Sequence, residues 1–184
     1  HLNMGWLYLY TDSPEKARDE LAIVKQAWPD APATRYLTGA LYARLDQHED
    51  AIRQYEAALS QGKASEAYFS SGATAYTDIY YDASQSLLSL NEYEKDADML
   101  REGLAKVDEE DAGSRTNFLF GLCNAYYKAK RLDKAFSYCD EAADTSPDPE
   151  EEDRIRTFLS NLKLVELLDE DVSDVSDEPA ADSN

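Results

Sequence analysis

The chain of 184 residues is short of the side chains that most often carry chemistry. It has two histidines and two cysteines. His1 is terminal and His48 sits in a turn before a helical stretch, so an imidazole acid or base has almost no candidate. Cys123 and Cys139 form no CxxC pair, which removes the usual zinc and dithiol signatures. No Gly-rich phosphate loop or nucleophile motif is present. Acidic pairs are common, but none is embedded in an apolar segment that would raise its pKa. No enzyme, metal site or cofactor is predicted. No apolar run approaches eighteen residues, so a helical membrane span is excluded. The opening His1-Leu2-Asn3-Met4 has neither a basic n-region nor an apolar h-region, so no secretory leader is legible there.

Cations are also scarce: 18 Lys and Arg face 38 Asp and Glu, a net charge of −20. Seven of the acids fall in Asp169–Asn184, where there is no Lys or Arg, leaving about −13 for the rest of the chain. Such a surface repels nucleic acid backbones and anionic headgroups, so neither nucleic acid nor membrane insertion is expected. A cationic partner and a strongly solvated surface both fit the charge, and solvation is the preferred reading.

Seven glycines, six prolines and few β-branched residues leave a chain dominated by Ala, Leu, Glu, Asp and Tyr. That mixture favours helices. The chain also repeats. Gly5, Tyr8, Ala17 and Leu21 return 34 residues later as Gly39, Tyr42, Ala51 and Tyr55. In NFLFGLCNAYYKAKRLDKAFSYCDEAADTSPD, Leu119, Leu122, Cys123 and Tyr126 share one helix face. Ala135, Cys139 and Ala142 share the next, and Pro147 closes the unit. Small residues facing each other (Gly5 with Ala17, Gly39 with Ala51, Cys123 with Ala135) let two antiparallel helices approach. The tyrosines and Leu21 fill the wedge between one hairpin and the next. Ser13-Pro14-Glu15 and Asp148-Pro149-Glu150 read as helix starts.

The third copy departs from the period. From Ala51 to its counterpart Asp96 is 45 residues, with Leu100 and Gly103 in the following places. The eleven extra residues are close to three helical turns. Phe69, Ala73, Tyr76, Tyr80 and Leu87 form one stripe, which predicts a single helix over roughly 64–90. Two helices broken near Thr77-Asp78 are the alternative. VDEEDAGSRTN carries five further residues and predicts a longer acidic loop. Ile155, Phe158, Leu159, Leu162, Val165 and Leu168 share one face of a terminal helix that would cover the open end. The acidic stretch after Leu168 has the composition of a disordered tail.

These places resemble the tetratricopeptide repeat (TPR), whose 34-residue unit reads W-x2-L-G-x2-Y, then A-x3-F, then A, then P. Here the tryptophan place holds His1, Arg35, Tyr80 and Leu119 in turn. The resemblance implies an all-α, right-handed superhelix of antiparallel helix hairpins with a C-terminal capping helix. Its units would be about 1–31, 32–63, 64–110 and 112–149, with a cap at 150–168 and a tail at 169–184. The first hairpin is cut short, which predicts further sequence upstream or a swapped contact.

In this family the first helix of each unit lines a concave groove for a partner segment. By register, the inward residues are Trp6, Tyr10, Tyr36, Ala40, Arg44, Tyr81, Gln85, Asn117, Phe120, Asn124, Tyr127 and Lys128. Aromatics supply area, amides can pair with a peptide backbone, and Arg44 or Lys128 can meet a carboxylate. The clamp that some members use for chaperone C-terminal tails is absent. Its places hold Leu2/Trp6, Tyr36/Ala40, Asp78/Asp82 and Asn117/Gly121. A scaffold, adaptor or assembly factor is the leading expectation. Self-association into a homo-oligomer, or an acidic holdase for basic clients, is the alternative. The facing cysteines are read as buried thiols acting as small hydrophobes, with a disulfide geometrically conceivable.

Overall fold

Left-handed backbone residues mark the chain's punctuation. In a computed structural model describing residues 1–62, Phe69 and 76–175 (side chains as far as Glu166), Asp12, Asp46, Asn91 and Lys130 have φ between 53° and 60°. They follow one another at 34, 45 and 39 residues, the same intervals as the sequence register. At each, the next residue's N–H bonds to a carbonyl five positions back: Ser13 to Tyr8, Gln47 to Tyr42, Glu92 to Leu87 and Arg131 to Tyr126, at 2.8–3.0 Å. The left-handed residue itself bonds three back, which completes a Schellman turn. A three-residue link therefore closes one helix and opens the next, and hairpins result.

The described helices are α1 (Leu2–Tyr10), α2 (Pro14–Ala27), α3 (Pro32–Arg44), α4 (His48–Leu59), α5 (Tyr76–Ser89), α6 (Tyr93–Leu104), α7 (Ala112–Lys128), α8 (Leu132–Thr145) and α9 (Pro149–Val175). Four antiparallel hairpins stack in chain order. Each second helix also packs on the first helix of the next unit, and α9 packs on α8. Pro14, Pro32 and Pro149 open helices where a missing N–H costs nothing. Asp148 caps α9 through Glu150 N, 3.0 Å from its Oδ1, whereas Ser13 makes no side-chain cap on α2.

The core runs the length of the stack. Ala17, Ala51 and Ala135 are buried to 1 % or less, and the rings of Tyr36, Tyr55, Tyr80 and Tyr126 are buried between units. The glycine spaces are filled differently from the expected small-on-small contacts. A Cβ on Gly39 would lie 2.5 Å from the Tyr55 ring, and one on Gly5 would lie 2.7 Å from Leu37 of the next hairpin. The glycines thus admit a large neighbour and do more than let backbones touch.

Four further expectations meet the structure here. The preferred reading of Cys123 and Cys139 as free thiols is wrong: they are disulfide-bonded, with Cα atoms 5.1 Å apart. Facing places on adjacent helices bring the two Cβ atoms within bridging reach. The loop before the fourth unit is shorter than expected, because α7 begins at Ala112, with the Asp111 carboxylate accepting from Ser114 N. Thr77 and Asp78 lie in the first turn of α5, which begins at Tyr76. The remainder of the expected 64–90 helix lies outside the described residues, apart from Phe69. Finally, α9 continues past residue 168 to Val175, while the rest of the acidic tail lies outside the described residues.

Candidate functional site

Three first helices meet side by side: α1 packs on α3, and α3 on α5. Their inward faces enclose a pocket of about 350 Å³ lined by Trp6 and Tyr10 of α1, Ala40 and Arg44 of α3, and Asp82 and Gln85 of α5. Tyr10 is 79 % exposed at its rim. The second helix of the second unit reaches the same pocket through Tyr55 and His48.

Trp6, Tyr10, Ala40, Arg44 and Gln85 are thus brought together, as the register places them. Tyr36 is different. It is 3 % exposed and belongs to the core, not to the contact surface. Its ring packs against Trp6 at 4.7 Å, Tyr55 at 5.9 Å and Phe69 at 5.7 Å between centroids. Its hydroxyl donates to Asp82 Oδ2 at 2.7 Å. Burial and the neighbouring Asp82 raise the Tyr36 hydroxyl far above the usual range, so it stays a proton donor.

Asp82 is the residue the register alone does not single out. Burial pushes its carboxyl up to about 6, the Tyr36 hydrogen bond opposes this, and nearby Asp78 adds to the rise. Among the described residues it has no salt-bridge partner, and α5 (YTDIYYDASQSLLS) itself contains no Lys or Arg. Two acids four apart on one cation-free helix is the sequence signal that points to it. Arg44 does not neutralise it; its guanidinium donates to the Leu9 carbonyl at 3.1 Å, at the C-terminal end of α1.

Tyr81 and Asn117 fall in a separate cleft of about 100 Å³ with Asp78 and Phe118. Tyr81 stacks edge-on to Phe118 at 5.8 Å. Phe120 and Tyr127 are half-buried against the terminal helix, with rings 5.4 and 6.5 Å from Phe158. They join the cluster around the disulfide, so α9 covers much of what the register offers as groove. Asn124 is half-buried and Lys128 exposed on α7; neither lines either cavity. The expected continuous twelve-residue face therefore resolves into one pocket, one small cleft and a covered end.

Among the described residues no group of His, Cys, Asp or Glu is arranged to hold a metal ion. No described helix is long and apolar enough to cross a membrane.

A sequence profile described as tetratricopeptide repeat matches residues 2–67. No curated protein matches the chain. Among solved structures, a MamA RS-1 ArsTM double mutant is similar at 17 % identity and a TM-score of 0.63, covering 89 % of this chain and 93 % of that one. MamA residues 41-end from Desulfovibrio magneticus RS-1 gives 18 % identity, the same TM-score and the same coverage. Yeast Tom70 gives 15 % identity and a TM-score of 0.69 over 96 % of this chain, which spans 36 % of Tom70. At these identities the likeness is one of fold.

Proposed function

We propose that this chain, whose residues 2–67 match a tetratricopeptide-repeat profile, is a repeat protein of that kind along its length and holds an extended segment of a protein partner on its α1–α3–α5 face. Proteins of this fold generally mediate protein–protein interactions and are typically not enzymes. The observation that carries the proposal is the pocket walled by Trp6, Tyr10, Arg44 and Gln85, with an exposed aromatic at its rim. Aromatic walls supply contact area, while the guanidinium and amide can pair with a peptide backbone. Such a pocket, on a scaffold otherwise occupied by its own packing, supports reading the chain as an adaptor or assembly factor.

A photo-crosslinking amino acid at Tyr10 tests this, with Glu56 on α4 as an exposed control position. Tyr10 should capture a discrete partner and Glu56 should not. Tyr10→Ala with Gln85→Ala should weaken that partner's affinity by about tenfold or more, on the order of 1.4 kcal/mol, with the helical signal unchanged. Equal capture from both positions would place the interface elsewhere.

A second reading draws on the first hairpin, where Met4, Leu7, Ile23 and Trp28 are 39–64 % exposed. Apolar surface of this kind suits self-association. Light scattering across a dilution series decides it, because a concentration-independent monomer rules it out.

A further inference from the structure

We propose that the α1–α3–α5 pocket takes one cationic side chain, Lys or Arg, of the partner segment, with the Asp82 carboxylate as counter-ion and the Trp6 ring as its apolar and π face. This rests on the reading of that face as a peptide groove and names what the groove selects.

The geometry turns on Tyr36. Its ring packs against Trp6 at 4.7 Å, and its hydroxyl holds Asp82 Oδ2 at 2.7 Å. One buried side chain thereby fixes an indole and a carboxylate on the same pocket wall. The hydrogen bond orients the carboxylate without neutralising it. A half-buried carboxylate with, among the described residues, one hydrogen-bond donor and no cation gains most from a charged partner that completes the pair. A guanidinium or ammonium against an indole adds a cation–π attraction that strengthens as water leaves. The long apolar stem of Lys or Arg suits the walls made by Leu9, Ala40 and Tyr55.

Charges facing the pocket do not undo this. Arg44 is tied to the Leu9 carbonyl. His48 has its Nε2 3.9 Å from Asp46, and its buried Nδ1 has no hydrogen-bond partner among the described residues. On the far side Asp78 lines the next cleft and adds negative potential to the same helix face. Around all of it lies a chain of net charge −20, which favours approach of a basic segment.

The probe is an array of synthetic decapeptides with degenerate flanks and one fixed central residue: Arg, Lys, norleucine or Glu. The labelled full chain should bind Arg and Lys peptides about tenfold more strongly than norleucine peptides. Asp82→Asn can still accept from Tyr36, so it keeps the wall; it should erase that preference while norleucine peptides bind as before. Glu56→Gln removes one charge from the outward α4 and should leave the preference intact. Three results overturn the cation pocket while the groove reading stands: equal binding of all four sets, a preference for Glu, or a cation preference that Asp82→Asn does not reduce or that Glu56→Gln reduces equally. If no peptide binds, or if Tyr10→Ala with Gln85→Ala changes nothing, the groove reading falls and the pocket falls with it.

Discussion

Asp96 stands where the other three units carry an alanine, and it is 2 % exposed. No well-formed hydrogen bond reaches its Oδ1 or the adjacent Ser84 Oγ among the described residues. Burial pushes the Asp96 carboxyl up to about 6, with Ser84 offsetting part of the rise. Between the unfolded value near 3.8 and about 6, the folded chain holds more protons than the unfolded one. Its contribution is therefore fully present below about 3.8 and is lost progressively as pH rises to about 6, at a cost on the order of 3 kcal/mol by neutrality. Asp96→Ala should stabilise the protein by about 1–3 kcal/mol at pH 7.5, with roughly half of that gain gone at pH 5. Urea titrations of both proteins at the two pH values check it; an equal difference at both would mean the carboxyl is not strained by burial. Asp82 shares the raised carboxyl, but it is only half-buried and it faces a pocket. The same chemistry in a closed hairpin is a defect in packing, and at a pocket wall it is the feature we propose a partner's cation completes.

At the level of elements, the hairpin turns decide how helices meet. Asp12, Asp46 and Asn91 are residue types that tolerate the left-handed region, whereas Lys130 has no such advantage. Lys130→Gly should stabilise by about 0.5–1 kcal/mol, read as a shift in the denaturant midpoint with unchanged slope. A loss of stability would show that the Lys130 side chain contributes more than its backbone strain costs. The intervals of these four residues are legible in the sequence, because turn chemistry and the small-residue places recur together. Which inward residues stay accessible is not legible in the same way. Helical periodicity gives the angle at which Tyr36, Phe120 and Tyr127 leave their helices. It does not say that Trp6 and Phe69 close over Tyr36, or that Phe158 covers the other two.

The whole molecule is a linear stack whose units touch mainly their neighbours, so its stability is spread along an axis and not held in one central core. The Cys123–Cys139 bond pins only one end, closing a loop of 16 residues between α7 and α8. A link of that length is worth about 3 kcal/mol. Reduction should therefore lower hydrogen-exchange protection in α7–α9 while α1–α4 keep theirs. Uniform loss along the chain would mean the stack unfolds as one cooperative unit.

The sequence by itself determined the hairpin register: the 34-, 45- and 39-residue intervals, the helical pairing and the terminal cap. These follow from local rules, namely turn residues, helix starts and the size of residues at contact points. Only the tertiary structure decided which side chains line the candidate site. A pocket depends on what neighbouring units leave uncovered, and that is a property of three helices at once. Trp6, Tyr10 and Arg44 stay open to it, Tyr36 withdraws beneath, and Asp82, set on a helix without cations, is held against the wall by a hydroxyl from 46 residues away.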